Sequence, residues 1–132
     1  MKLAALFWLG IATASAAQPM DGESFDAFSR GTTLYFADHG QFFGSEQFFS
    51  GHRTVWRSND GTCINGKWAE INREICFVYD NGSGPFCWAV EEGDSGITVT
   101  SRNAPDGEPP LVLELTKQNK APIRCTGPLF GV

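Results

Sequence analysis

The side chains best placed to do chemistry near neutral pH are four cysteines, Cys63, Cys76, Cys87 and Cys125, and two histidines, His39 and His52. Three of the cysteines fall within residues 63–88, together with Trp68 and Trp88. A thiolate metal site is one use of such residues, but the sequence has no C-x-x-C pair and neither histidine lies near a cysteine. Oxidation to two disulfides is therefore expected, with three connectivities open in principle. Strand register narrows them. A hairpin turning at Asn81-Gly82 through a two-residue loop puts Cys76 directly opposite Cys87. Facing Cα atoms about 4.5 Å apart lie within disulfide range. A neighbouring hairpin turning around Asn72 sets Cys63 opposite residue 81, not opposite Cys76, which leaves Cys63 to pair with Cys125.

Catalytic patterns are absent. There is no G-x-S-x-G, no H-E-x-x-H and no phosphate-cradling glycine loop, and Glu91, Glu92 and Asp94 lack the ligand spacing of a calcium loop. His39 in a turn and His52 at a strand start, with nearby carboxylates, give a third reading, a small hydrolase or metal-binding protein. The expectation is a non-enzymatic protein with no cofactor, no catalytic residues and no metal ligands. Aromatic density points to binding instead: Arg53, Trp56, Trp68 and Tyr79 are the candidates for a binding surface. Phe42, Phe43, Phe48 and Phe49 come in adjacent pairs, and strict alternation along a strand puts Phe43 and Phe49 on one face, Phe42 and Phe48 on the other.

The first residues carry Lys2, an apolar run over 3–12 and the small residues Ala14-Ser15-Ala16, which reads as a cleaved secretory signal peptide over 1–16. That run is shorter than the roughly 20 residues needed to span a bilayer, so no membrane insertion is expected. What remains, 17–132, suits a single disulfide-stapled domain in the periplasm or secreted beyond it. Of ten basic residues nine remain without Lys2, against fifteen acidic ones, so the domain carries about −6. That balance argues against nucleic acid as a partner.

The elements that must position these residues are strands. Residues 21–30 suit a short helix with Asp21 or Ser24 as N-cap, Phe25 and Phe28 on one face and Gly31 as the stop. From residue 32 onward aromatic and β-branched runs alternate with turn residues, predicting strands at 32–37, 41–49, 52–58, 62–70, 74–80, 86–91, 96–101 and 111–117. The connections are mostly too short for crossover helices, so sequence neighbours should be antiparallel neighbours in space. The fold class that follows is mainly β: an antiparallel meander of six to eight strands forming a bent sheet or small partial barrel, with the N-terminal helix closing one end. Gly44 and Gly66 fall inside strands, where glycine marks a bulge or a bend. The C-terminal segment carries Cys125 and should be tied back to the body, over a sheet edge or an open barrel end.

Gly66-Lys67-Trp68 resembles the G-x-W of lipocalins, in which the tryptophan closes one end of a ligand-holding barrel. Here the motif lies about fifty residues into the domain without a second lipocalin motif, so its first reading is strand packing. The wider pattern G-x-W, ICF-x-Y, CW and a final C-x-G-P-x-x-G-V, at Gly66 to Trp68, Ile75 to Tyr79, Cys87-Trp88 and Cys125 to Val132, resembles a family of small exported proteins of uncharacterised function from alphaproteobacteria. That resemblance implies a periplasmic or secreted setting and lends no activity or site. The functional expectation is an exported monomeric β-domain that binds a small ligand or an envelope partner. The alternative is a periplasmic inhibitor of a cell-wall-degrading enzyme, inserting the loop 81–85.

Overall fold

The computed structural model describes residues 10–12, 18–127 and 129–130. The expected signal peptide and its cleavage site lie outside these, apart from 10–12. Helix α1, Gly22–Ser29, begins where Asp21 caps it, its side chain accepting from the Ser24 backbone N–H at 2.8 Å. Eight strands follow: β1 Thr33–Asp38, β2 Gln41–Phe48, β3 Arg53–Ser58, β4 Cys63–Ile71, β5 Glu74–Tyr79, β6 Phe86–Gly93, β7 Gly96–Ser101 and β8 Val112–Asn119. Each lies antiparallel to its sequence neighbour, and β8 returns to pair with β1. The meander therefore closes completely into an eight-stranded barrel, the endpoint of the curling expected from its twist. Closure leaves no strand edge among the eight for another chain to pair with along its length.

The cystines are Cys76–Cys87 and Cys63–Cys125. Cys76 and Cys87 face each other across β5 and β6, in the register expected. The loop between them is longer than two residues, with Tyr79 N–H donating to Ser83 O at 3.1 Å, yet the pairs on either side of the cystine keep that register. The β4–β5 connection is the tight one. Asn72 and Arg73 both adopt positive φ, 51° and 61°, as a type I′ hairpin turn requires.

The C-terminal segment covers an edge at its end, pairing with the start of β4, which β5 leaves free because its own pairing begins at Gly66. It crosses the outer face of the wall from β1 to β4. Thr33 donates its hydroxyl to Ala121 O at 2.7 Å, the Ile123 N–H donates to Gln47 Oε1 at 2.9 Å, and Arg57 Nε donates to Arg124 O at 2.9 Å. Cys63–Cys125 then anchors it, and Leu129–Phe130 adds a two-residue strand, β9, parallel to the start of β4. This strap explains why Thr33, Ser45 and Cys63, whose side chains point away from the barrel axis, are nonetheless buried.

One alternation is overturned. β1 and β2 pair Phe36 with Gly44 but Ala37 with Phe42, so Phe43 is the extra residue of a β-bulge. The bulge turns Phe43 inward together with Phe48, whereas Phe42 points out and is 44% exposed.

Candidate functional site

Up-and-down connectivity sorts the loops to two ends. The 3-10 turn Ser50–His52, the Asn72-Arg73 turn and the β6–β7 turn share one end with α1; turns 39–40, 59–62 and 80–85 and loop 102–110 share the other. At the first end α1 seals the barrel. The Phe25 ring sits edge-on against Trp68, Phe48 and Phe77, with centroids 5.0, 5.4 and 6.5 Å away. The helix is held there by Gly22 N–H donating to Glu70 Oε1 at 2.9 Å and Met20 N–H donating to Val90 O at 2.8 Å.

Above this floor lies a cavity of about 940 Å³, near the upper end of the roughly 300–1,000 Å³ of small-molecule sites. Its wall is apolar and largely aromatic: Phe36, Phe43, Trp56, Tyr79, Phe86 and Trp88 contribute rings, and Ile97, Val99, Leu113 and Leu115 line the opposite side. Toward the mouth the lining turns polar, with Ser58, Asn59, Thr62, Asn81, Ser83, Ser101 and Asn103. Asn103 joins two mouth loops, donating through Nδ2 to Pro85 O at 2.7 Å and accepting from Cys87 N–H at 3.3 Å.

The two strand glycines make room for the rings. A Cβ on Gly44 would collide with the Trp56 indole, and a Cβ on Gly66 would lie 2.6 Å from Tyr79 Cδ1. Each glycine thus makes room for an aromatic ring of the neighbouring strand, which no residue with a Cβ could do. Trp56 is fixed further by its indole N–H, which donates to Ser58 Oγ at 3.2 Å.

One carboxyl lies within the aromatic wall. Glu46 on β2 faces Leu34 on β1 and Trp56 on β3, lines the cavity and is only 4% exposed. Tyr79 donates its phenol to Glu46 Oε1 at 3.1 Å. Burial raises the Glu46 pKa to about 7, partly offset by the Thr54 and Tyr79 hydroxyls. Of these two, Tyr79 makes the well-formed bond; Thr54 Oγ1 is buried without a partner at hydrogen-bonding geometry. Burial first, and the Glu46 charge second, push the Tyr79 phenol well above its ordinary value, so it stays a donor.

A carboxyl whose pKa rises on folding, from 4.5 to about 7, holds its proton in the folded protein over a range where the unfolded chain has released it. The stability this confers is fully present below about pH 4.5 and is lost as pH rises through about 7. The total is about 3 kcal/mol. Glu46→Gln should remove that part of the pH slope, and urea unfolding of both proteins between about pH 4.5 and 8.5 measures it. Parallel slopes would contradict the placement of Glu46.

Of the residues expected to bind, Trp56 and Tyr79 meet on the cavity wall beside Glu46. Trp68 is part of the floor, stacked on His52 at 3.8 Å. Arg53 lies outside the barrel, its guanidinium 5.6 Å from the Phe49 ring centroid and its Nε donating to Ser50 O at 3.3 Å. The histidines do not meet: β2 separates the turn of His39, whose side chain is 96% exposed, from that of His52. Glu74 lies beside the sulfurs of Cys76 and Cys87, but these are bonded to each other and offer no thiolate. No protein-family model, curated protein or solved structure matches the chain.

Proposed function

We propose that the chain is an exported binding protein that holds a small, largely apolar ligand inside its barrel. The observation that carries this reading is the cavity: a closed wall of inward-facing aromatic and aliphatic side chains, plugged at one end by α1 and opening between polar loops at the other. Natural cores are packed with few voids larger than a water molecule, and an apolar space of this size forgoes contacts that a ligand would supply. The resemblance to exported alphaproteobacterial proteins and the two cystines support a periplasmic or secreted setting. Among the described residues no helix is long and apolar enough to cross a membrane. The loop 81–85, which an inhibitor would insert into an enzyme, places Asn81 and Ser83 on the cavity mouth, a position suited to ligand passage.

The test is titration with a neutral naphthyl dye such as N-phenyl-1-naphthylamine, whose emission rises in apolar surroundings. One dye should bind per chain, and Leu115→Trp, which fills the interior from β8, should abolish binding while circular dichroism shows the barrel intact. Undiminished binding to a folded Leu115→Trp variant would place the dye elsewhere and remove the reading.

A further inference from the structure

We propose that the ligand carries a protonated amine, which pairs with Glu46 partway down the barrel while its apolar body fills the aromatic remainder of the cavity. This rests on the binding function proposed above and narrows it to a class of ligand.

The wall contains an acid without a base. Among the described lining residues there is no lysine or arginine, and the other carboxyl, Glu108, is exposed at the mouth. The protein offers the Glu46 carboxylate one well-formed hydrogen bond, from Tyr79, and no opposite charge in contact. A buried carboxylate in that position is costly, and supplying a hydrogen-bonded cation is the physical means of relieving it. A ligand ammonium does so, and its N–H groups suit a carboxyl oxygen.

The rings around Glu46 select in the same direction. Trp56 faces Glu46 directly across β2 and β3, Phe43 packs against Trp56 with ring centroids 5.9 Å apart, and Tyr79 contacts the carboxyl itself. Aromatic faces carry partial negative charge and attract ammonium groups. A carboxylate-headed ligand such as a fatty acid would instead meet Glu46 and no cation. The chain's net charge of −5 also favours approach of a cation.

The experiment compares three ligands of one shape, 2-naphthylethylamine, 2-naphthylethanol and 2-naphthylacetate, by calorimetry at about pH 8 on the wild-type protein and on Glu46→Gln. The amine should bind the wild type roughly thirtyfold or more tightly than the alcohol, the effect of a desolvated charge pair, and the acetate most weakly. In Glu46→Gln the amine should fall to near parity with the alcohol, while circular dichroism and retained one-to-one binding of the alcohol report that the variant's cavity is intact. Equal binding of amine and alcohol to the wild type, or an amine preference that survives in Glu46→Gln, would overturn the amine class and leave the binding barrel standing. Failure of all three ligands to bind would overturn both.

Discussion

Replacing Phe25 with alanine should destabilise the protein by about 4 kcal/mol, the ordinary cost of removing a fully enclosed aromatic ring from a core. Phe25 is 3% exposed and touches residues from three different strands, Phe48 on β2, Trp68 on β4 and Phe77 on β5, so no single neighbour can move to fill the space. The edge-to-face geometry of these contacts adds to the burial. The ring is also the floor of the cavity, and its loss extends the void downward beneath α1. Urea unfolding measures the first effect. A loss under about 1 kcal/mol would mean that α1 is an appendage and not the plug of the barrel.

The second large effect concerns the strap. Replacing both Cys63 and Cys125 with alanine should cost about 4 kcal/mol, against about 3 kcal/mol for Cys76 and Cys87, because constraint of the unfolded chain grows with the length of the closed loop. The separations are 62 and 11 residues. Two structural differences act in the same direction. Cys76 and Cys87 are already paired by strand register, so the barrel holds them together when reduced. The segment 121–127 is held otherwise by a few hydrogen bonds, and its release exposes Thr33, Ser45 and position 63 on the outer wall. Denaturant unfolding of the two double variants should rank them in this order; a larger loss from the Cys76 and Cys87 pair would contradict the strap's role.

The reading from sequence was strongest where the signal is local. The eight strands and the helix start, capped by Asp21 of the two candidates Asp21 and Ser24, follow from alternation and turn chemistry contained within a dozen residues, and the Cys76–Cys87 register holds although the connecting loop is longer than the two-residue turn expected. Closure of the barrel through β1 and β8 joins segments about eighty residues apart and leaves no local mark, so only its twist-driven tendency could be anticipated. The bulge at Phe43 defeated strict alternation, because one extra residue exchanges the faces of every side chain beyond it. Glu46 was hidden for another reason: in the run QFFGSEQFF a glutamate reads as an outward polar residue, yet it shares a face with Phe48, two residues on, and that phase with a core phenylalanine was the sign to look for. Gly44 and Gly66 were legible as special positions, but seeing that each seats an aromatic ring required knowing which residues sit on the adjacent strand.

The central claim is that the interior of the barrel receives a ligand. Methyl NMR during a titration with 2-naphthylethylamine tests it most directly. Ile64, Ile97 and Leu115 line the cavity, whereas Ile71, Val78 and Val112 are exposed. The methyl resonances of Ile64, Ile97 and Leu115 should shift together and saturate at one ligand per chain, with those of Ile71, Val78 and Val112 unmoved. Shifts confined to the exposed methyls, or none at all, would contradict it.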